Sequence, residues 1–256
     1  MYLRDVHAET TIATLRQLIR DNPLGILTTA IRSERHPLIQ SSHIPFILDV
    51  ANESDETELG VLRGHVARQN PQSKAMIESV QSSASSSDYV LEEEVLVLFN
   101  SPVHHYVTPK FYTETKPSNG KVVPTWNYAA AQVYGKAKIY FDSKSEETVA
   151  FLSKQVDDLS RHSETSIMGY TGSGSKPTPW NVSDAPDKYV QLLQKAIIGI
   201  EIKIDRFEGK FKMSQEMSQG DREGVINGFG GMGSEIGSQM AEIVRERGHL
   251  HEQAKK

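Results

Sequence analysis

Ile198, Ile200, Ile202 and Ile204 alternate with Gly199, Glu201 and Lys203, the two-residue period of a half-buried strand. Further strands are expected at Gly25–Ile31, Leu38–Asp49, Leu59–Ala67, Glu94–Phe99 and Gln132–Phe141, several of them rich in β-branched residues. Pro45 inside the second argues for an edge or a bulge. Helical spacing takes over at Ile12, Leu15, Leu18 and Ile19, and Asn22-Pro23 ends that helix. Asn70-Pro71 opens another, with Asn as cap and Pro at the first helical position. Ser143 and Glu146 fit a capping box ahead of Val149, Leu152, Val156 and Leu159. Asp187–Ala196 reads as a helix, as does a tail built on Ile236, Met240, Ile243 and Val244. Loops are expected at Asp49–Glu58, Gln81–Asp88, Thr113–Lys121 and Thr171–Asn181. Gly228–Gly233 reads as a flexible hinge. It spells GxGxxG, but no strand precedes it and no room for a βαβ unit follows. Strands interrupted by occasional helices, without regular alternation, predict an α+β fold with a mainly antiparallel sheet or barrel.

Composition narrows the chemistry. None of the 256 residues is cysteine, which excludes disulfides, thiolate zinc, iron–sulfur clusters and cysteine nucleophiles. A net charge of -5 argues against a wholly basic nucleic-acid binder. No apolar run reaches the ~20 residues of a membrane-spanning helix. Met1–Arg20 carries Asp5 and Glu9 and lacks an unbroken apolar core, so it does not read as a signal peptide. A cytoplasmic protein is expected.

The best local site is Arg63-Gly64-His65-Val66-Ala67-Arg68-Gln69-Asn70-Pro71. There a strand runs into a helix start whose free N–H groups attract anions. Arg63 and His65, two apart, share a strand face, and Arg68 lies beside the cap. This reads as a phosphate cradle, or as surface arginines beside an ordinary cap. His104 and His105 are adjacent and face opposite sides of a strand, so they do not share a metal. No HxxxH or HExxH occurs, and no metal site is expected. Ser41-Ser42-His43 does not form a triad on one strand. Tyr106, Tyr112, Trp126 and Tyr128 gather around a proline-bounded segment. Such residues stack on planar ligands, bury at interfaces or fill a core.

Longer motifs carry a resemblance. Met1-Tyr2, the segment Ile44–Asp49 after His43, Leu62–Pro71, Tyr106–Pro109 with Tyr112, Val123–Ala130, Trp180–Pro186 and Glu208–Gln215 stand in the order of the PaiB family. The chain is similar to it over about residues 1–228, and the tail from Gly230 lies outside. The resemblance implies an FMN-binding split β-barrel with peripheral helices, akin to pyridoxamine-phosphate-oxidase-like flavoproteins. It implies a homodimer with flavin between subunits, and flavin-dependent oxidoreductase or regulatory activity; members are named as negative transcriptional regulators. Carried onto this chain, Arg63, His65, Arg68 and Asn70 hold the phosphate. Ser42 and His43 face the ring edge, and Trp126 and Tyr128 come from the partner. Lys212, Ser214 and Gln215 form the closing motif. There Met213 and Glu216 replace the usual Leu and Asn, and a carboxylate beside a phosphate is unfavourable unless paired. The expected organisation is a domain over 1–228 and a hinge with a tail helix over 229–256. The rival readings are haem binding through His43, His65, His104, His105 or His162, and a transcriptional regulator, for which no helix–turn–helix is evident.

Overall fold

The computed structural model describes residues 1–82 and 88–254. Its strands are β1 (Ala8–Glu9), β2 (Leu24–Ala30), β3 (Ile39–Asp49), β4 (Val61–Ala67), β5 (Val95–Asn100), β6 (His105–Val107), β7 (Thr125–Tyr140) and β8 (Ile197–Lys212). Its helices are α1 (Ile12–Asp21), α2 (Pro71–Ser82), α3 (Thr115–Asn119), α4 (Glu146–His162), α5 (Asp187–Lys195), α6 (Gln219–Gly230) and α7 (Glu235–Gln253). The expected loop at Gln81–Asp88 falls largely outside the described residues. Two compact units form. One comprises Ile12–Phe99 and Gln132–Phe207; the other comprises Met1–Thr11, Asn100–Ala131 and Glu208–Lys256.

The first unit is a closed barrel. Strands run in the order β8-β4-β3-β2-β5-β7, and β7 pairs back onto β8. The pairs with a defined register in this ring are antiparallel, with Ile26 opposite His43, Phe46 opposite Gly64 and Gly64 opposite Ile200. Alternation sends Leu27, Ile44, Phe46, Leu62, Val97, Ile198, Ile200 and Ile202 into the interior, where each is essentially unexposed. Gly135 lets β7 cross close to β8: a Cβ there would sit 2.0 Å from the Lys203 carbonyl oxygen. The split-barrel expectation therefore holds. Pro45, however, marks no edge. β3 is flanked by β2 and β4. Pro45 stands at the last pair of the β2 ladder, opposite Leu24, and just before the β4 ladder begins at Phe46, where its missing N–H is tolerated.

The second unit has its own strand pairs and its own core. β1 pairs with β8 at Ala8 and Lys210, and β6 pairs with β7 at Tyr106 and Trp126. Val107, Tyr112, Met213, Val225, Phe229, Met240 and Val244 fill its core. The division does not follow the expected boundary at 228/229, because 229–254 packs with the N-terminal strand's unit. The glycine run is likewise not a hinge. Gly228 and Gly230 lie in α6, and Phe229 between them is fully buried. A Cβ at Gly228 would meet the Phe111 ring at 2.3 Å, and one at Gly224 the Phe111 carbonyl oxygen at 2.1 Å. These glycines serve close packing. Among the described residues, no helix is long and apolar enough to cross a membrane.

Candidate functional site

The closing motif turns sharply where β8 ends. Ser214 takes φ 59, an uncommon left-handed conformation for a residue other than glycine. Its hydroxyl accepts from Asn127 Nδ2 at 3.0 Å and donates to Asn127 Oδ1 at 3.1 Å. Gln215 closes the turn: Oε1 accepts from the Met213 N–H at 2.7 Å, and Nε2 donates to the Val6 carbonyl at 2.9 Å. This held turn fixes Lys212, whose Nζ donates to Thr125 Oγ1 and, at 3.0 Å, to the Trp126 carbonyl. Burial pushes the Lys212 ammonium below the ordinary lysine range; Lys210 and Arg4 push the same way, against Glu216.

Cations and aromatic rings thus meet in one place. Lys210 Nζ donates to the Tyr2 carbonyl at 2.9 Å and lies 5.5 Å from the Tyr128 ring centre. Trp126 is 53% exposed, with Tyr106 edge-on at 6.1 Å and His104 tilted at 6.2 Å. Glu216 is answered by His7, whose Nε2 lies 3.0 Å from Oε2, although the two are not aligned for a hydrogen bond. The carboxylate that departs from the family motif therefore lies against a histidine without a hydrogen bond between them. Tyr112 ends in a buried hydroxyl with no partner. Burial, followed by Glu216, Asp221 and Tyr106, raises its pKa.

The other expected residues lie in the barrel unit. Arg63 is buried and spent on protein groups. It pairs with Asp49 through Nε and Nη2, with Asp158 at 2.7 Å, and with Gln155 Oε1 at 3.2 Å. Arg68 donates to the Lys195 carbonyl at 3.1 Å and the Phe141 carbonyl at 2.5 Å, which caps the C-terminus of α5. Asn70 is the expected cap of α2. Its Oδ1 accepts from the Gln72 N–H at 2.9 Å, and its Nδ2 donates to Ser42 Oγ at 2.9 Å. His43 is exposed at the register position of Ile26. His65 lines a cleft beside α4 and α5, and burial holds its pKa below the usual value. The structure thus gathers Lys212, Ser214, Gln215, Trp126 and Tyr128 in one unit, and Arg63, His65, Arg68, Asn70, Ser42 and His43 in the other. Among the described residues, no cluster of three or more His, Cys, Asp or Glu could hold a metal ion.

Residues 1–206 match the family described as "Putative FMN-binding domain". The chain belongs to this family. An uncharacterized protein of Emericella nidulans is 65% identical over 253 residues, 98% of each chain. One of Aspergillus fumigatus is 61% identical over 259 residues, again 98% of each. "Protease synthase and sporulation protein PAI 2" of Bacillus subtilis is 25% identical over 248 residues, 96% of this chain and 98% of that one. It bears out the PaiB resemblance read from the motifs. Among solved structures, a conserved hypothetical protein of Mycobacterium tuberculosis aligns with a TM-score of 0.46 at 12% identity, covering 86% of this chain and 95% of that one.

The sequence motifs include Asn127 and Lys210 without giving them a role, and they leave out Arg4 and His7. Lys210 and Lys212 stand two apart on one strand, and that spacing alone could have flagged a shared cationic face. No local signal ties Arg4, Asn127 or His7 to it.

Proposed function

We propose that the protein binds FMN, with the phosphate toward Lys212, Lys210 and Arg4 and the isoalloxazine ring against Trp126 or Tyr128. The observation that carries this reading, beside the family match, is that Lys212 donates to the Trp126 carbonyl and Lys210 faces the Tyr128 ring, next to the half-exposed Trp126 side chain. Burial first, and Lys210 and Arg4 after it, hold Lys212 below its ordinary pKa; an incoming dianion relieves the repulsion among the cations. Ser214 and Asn127 hold each other just after β8 ends, while Thr125 and the Trp126 carbonyl hold the lysine. Bound FMN supplies reversible hydride acceptance; the chain's residues bind and orient it. Exposed Trp126 and Val123 offer a surface for a second copy, so the proposed assembly is a homodimer in which this face covers the flavin.

Quenching of FMN fluorescence on addition of purified protein tests this. Saturable uptake is expected. Lys212→Met should weaken it at least tenfold, since a charge-assisted hydrogen bond contributes about 1.5–3 kcal/mol. No uptake, or equal affinity in Lys212→Met, refutes the placement.

A further inference from the structure

The side of β8 turned away from Lys210 and Lys212 is gripped by the last helix. Phe211 stands between the two lysines along the strand, so its ring points to the opposite side. The Arg247 guanidinium of α7 lies over that ring, 3.6 Å from its centre. The same guanidinium donates through Nη1 to Glu9 Oε2 at 2.5 Å. Glu9 stands opposite Gly209, and Ala8 opposite Lys210, in the ladder between β1 and β8. One side chain thus fastens both strands at the level of the lysines.

Three observations set this contact apart from an ordinary surface ion pair. First, the Arg247 and Glu9 side chains are only 13% and 11% exposed. Burial alone would raise the Glu9 carboxyl, yet Arg247 and the Thr11 N–H outweigh it and hold the group below the usual carboxylate range. Second, the contact needs a planar cation. A guanidinium stacks on a ring while its edge holds a carboxylate, and a lysine ammonium cannot do both at once. Third, the ladder it supports is two residues long, too short to be stable alone. Lys210 nevertheless takes its hydrogen bond from that side, at the Tyr2 carbonyl on the segment leading into β1.

We propose that Arg247 is a positioning residue of the cofactor site. It holds the end of β8 so that Lys210 and Lys212 meet the flavin phosphate together. The helix α7, which lies beyond residues 1–206 of the family match, is on this account part of the support of that site. The inference rests on the flavin reading above.

Fluorescence titration of the full chain with FMN and with riboflavin, which keeps the ring and lacks the phosphate, tests it. The wild type should prefer FMN. Arg247→Met should weaken FMN about fivefold, part of the tenfold expected when Lys212 itself is replaced, and leave riboflavin unchanged. Arg247→Lys should recover only part of the loss. Glu9→Gln should act in the same direction, and it decides the matter if Arg247→Met does not fold. Val225→Ala, in the core of the same unit, should lower Tm and keep the ratio of the two affinities. An unchanged ratio in the folded Arg247 and Glu9 variants, with FMN still bound, overturns this inference and spares the flavin reading. An equal loss in Val225→Ala reduces Arg247 to ordinary packing and overturns it as well. A wild type that takes up neither flavin, or binds both equally, removes the phosphate placement and this inference with it.

Discussion

Arg63→Met separates a scaffold arginine from a phosphate ligand. Arg63 is 4% exposed and its guanidinium meets Asp49, Asp158 and Gln155, so methionine replaces the aliphatic stem but none of the donors. Removing one partner of a buried ion pair costs about 3–5 kcal/mol. Here two features place the loss at the lower end. The Asp49 carboxylate is 45% exposed and recovers hydration. Asp158 keeps Lys154 at 2.5 Å and Arg161 at 3.5 Å. A loss of about 3 kcal/mol lowers Tm by roughly 6–12 °C at this chain length. Urea and thermal melts followed by circular dichroism give the stability, and FMN titration of the folded variant gives the affinity. Stability should drop with FMN affinity unchanged. An unaltered melt combined with a tenfold loss of FMN affinity would place Arg63 on the phosphate and refute the reasoning.

Trp126→Ala should weaken both self-association and FMN uptake, about 2 kcal/mol for an interface hot spot; sedimentation and fluorescence quenching read the two effects separately. Gly224→Ala forces a methyl against the Phe111 carbonyl oxygen and should destabilise by about 1–3 kcal/mol, measured by urea unfolding. Burial holds the His65 pKa below its ordinary 6.5, so protonation favours the unfolded chain. Its contribution to stability is full above about pH 6.5 and falls as the pH drops below it. The difference in urea midpoint between pH 7.5 and 5.5 should therefore be smaller in His65→Gln than in the wild type. An unchanged difference counts against a buried neutral imidazole.

Period-two alternation placed the barrel strands because one face of each is buried, so the pattern at 198–204 reports the core directly. The cap at Asn70 was equally local and stands as read. Arg63 and Arg68 were not legible in this way. Their partners, Asp158 and Lys195, lie far along the chain, and only folding shows that both guanidiniums are spent on the protein. The same distance hid the contacts of Lys212 with the Trp126 carbonyl and of Lys210 with the Tyr128 ring. Gly228 looks like freedom in a sequence and acts as clearance in a helix contact. Pro45 looks like an edge until two ladders are seen to meet around it.

Ring closure also sets a timetable for biosynthesis. β4 ends at Ala67, and its partner on the far side, β8, begins at Ile197. Until β8 leaves the ribosome, β4 presents an open row of backbone donors and acceptors, a template for wrong pairing. Long-range pairing of this kind is slow and exposes the chain to aggregation. The vulnerable nascent species is therefore a chain that carries β2 to β5 and β7 but not yet β8, held as an unclosed sheet. Once β8 has emerged, β4 and β7 both have their partner and the ring closes. Chaperone capture of ribosome-bound chains should peak just before that point and fall sharply after it.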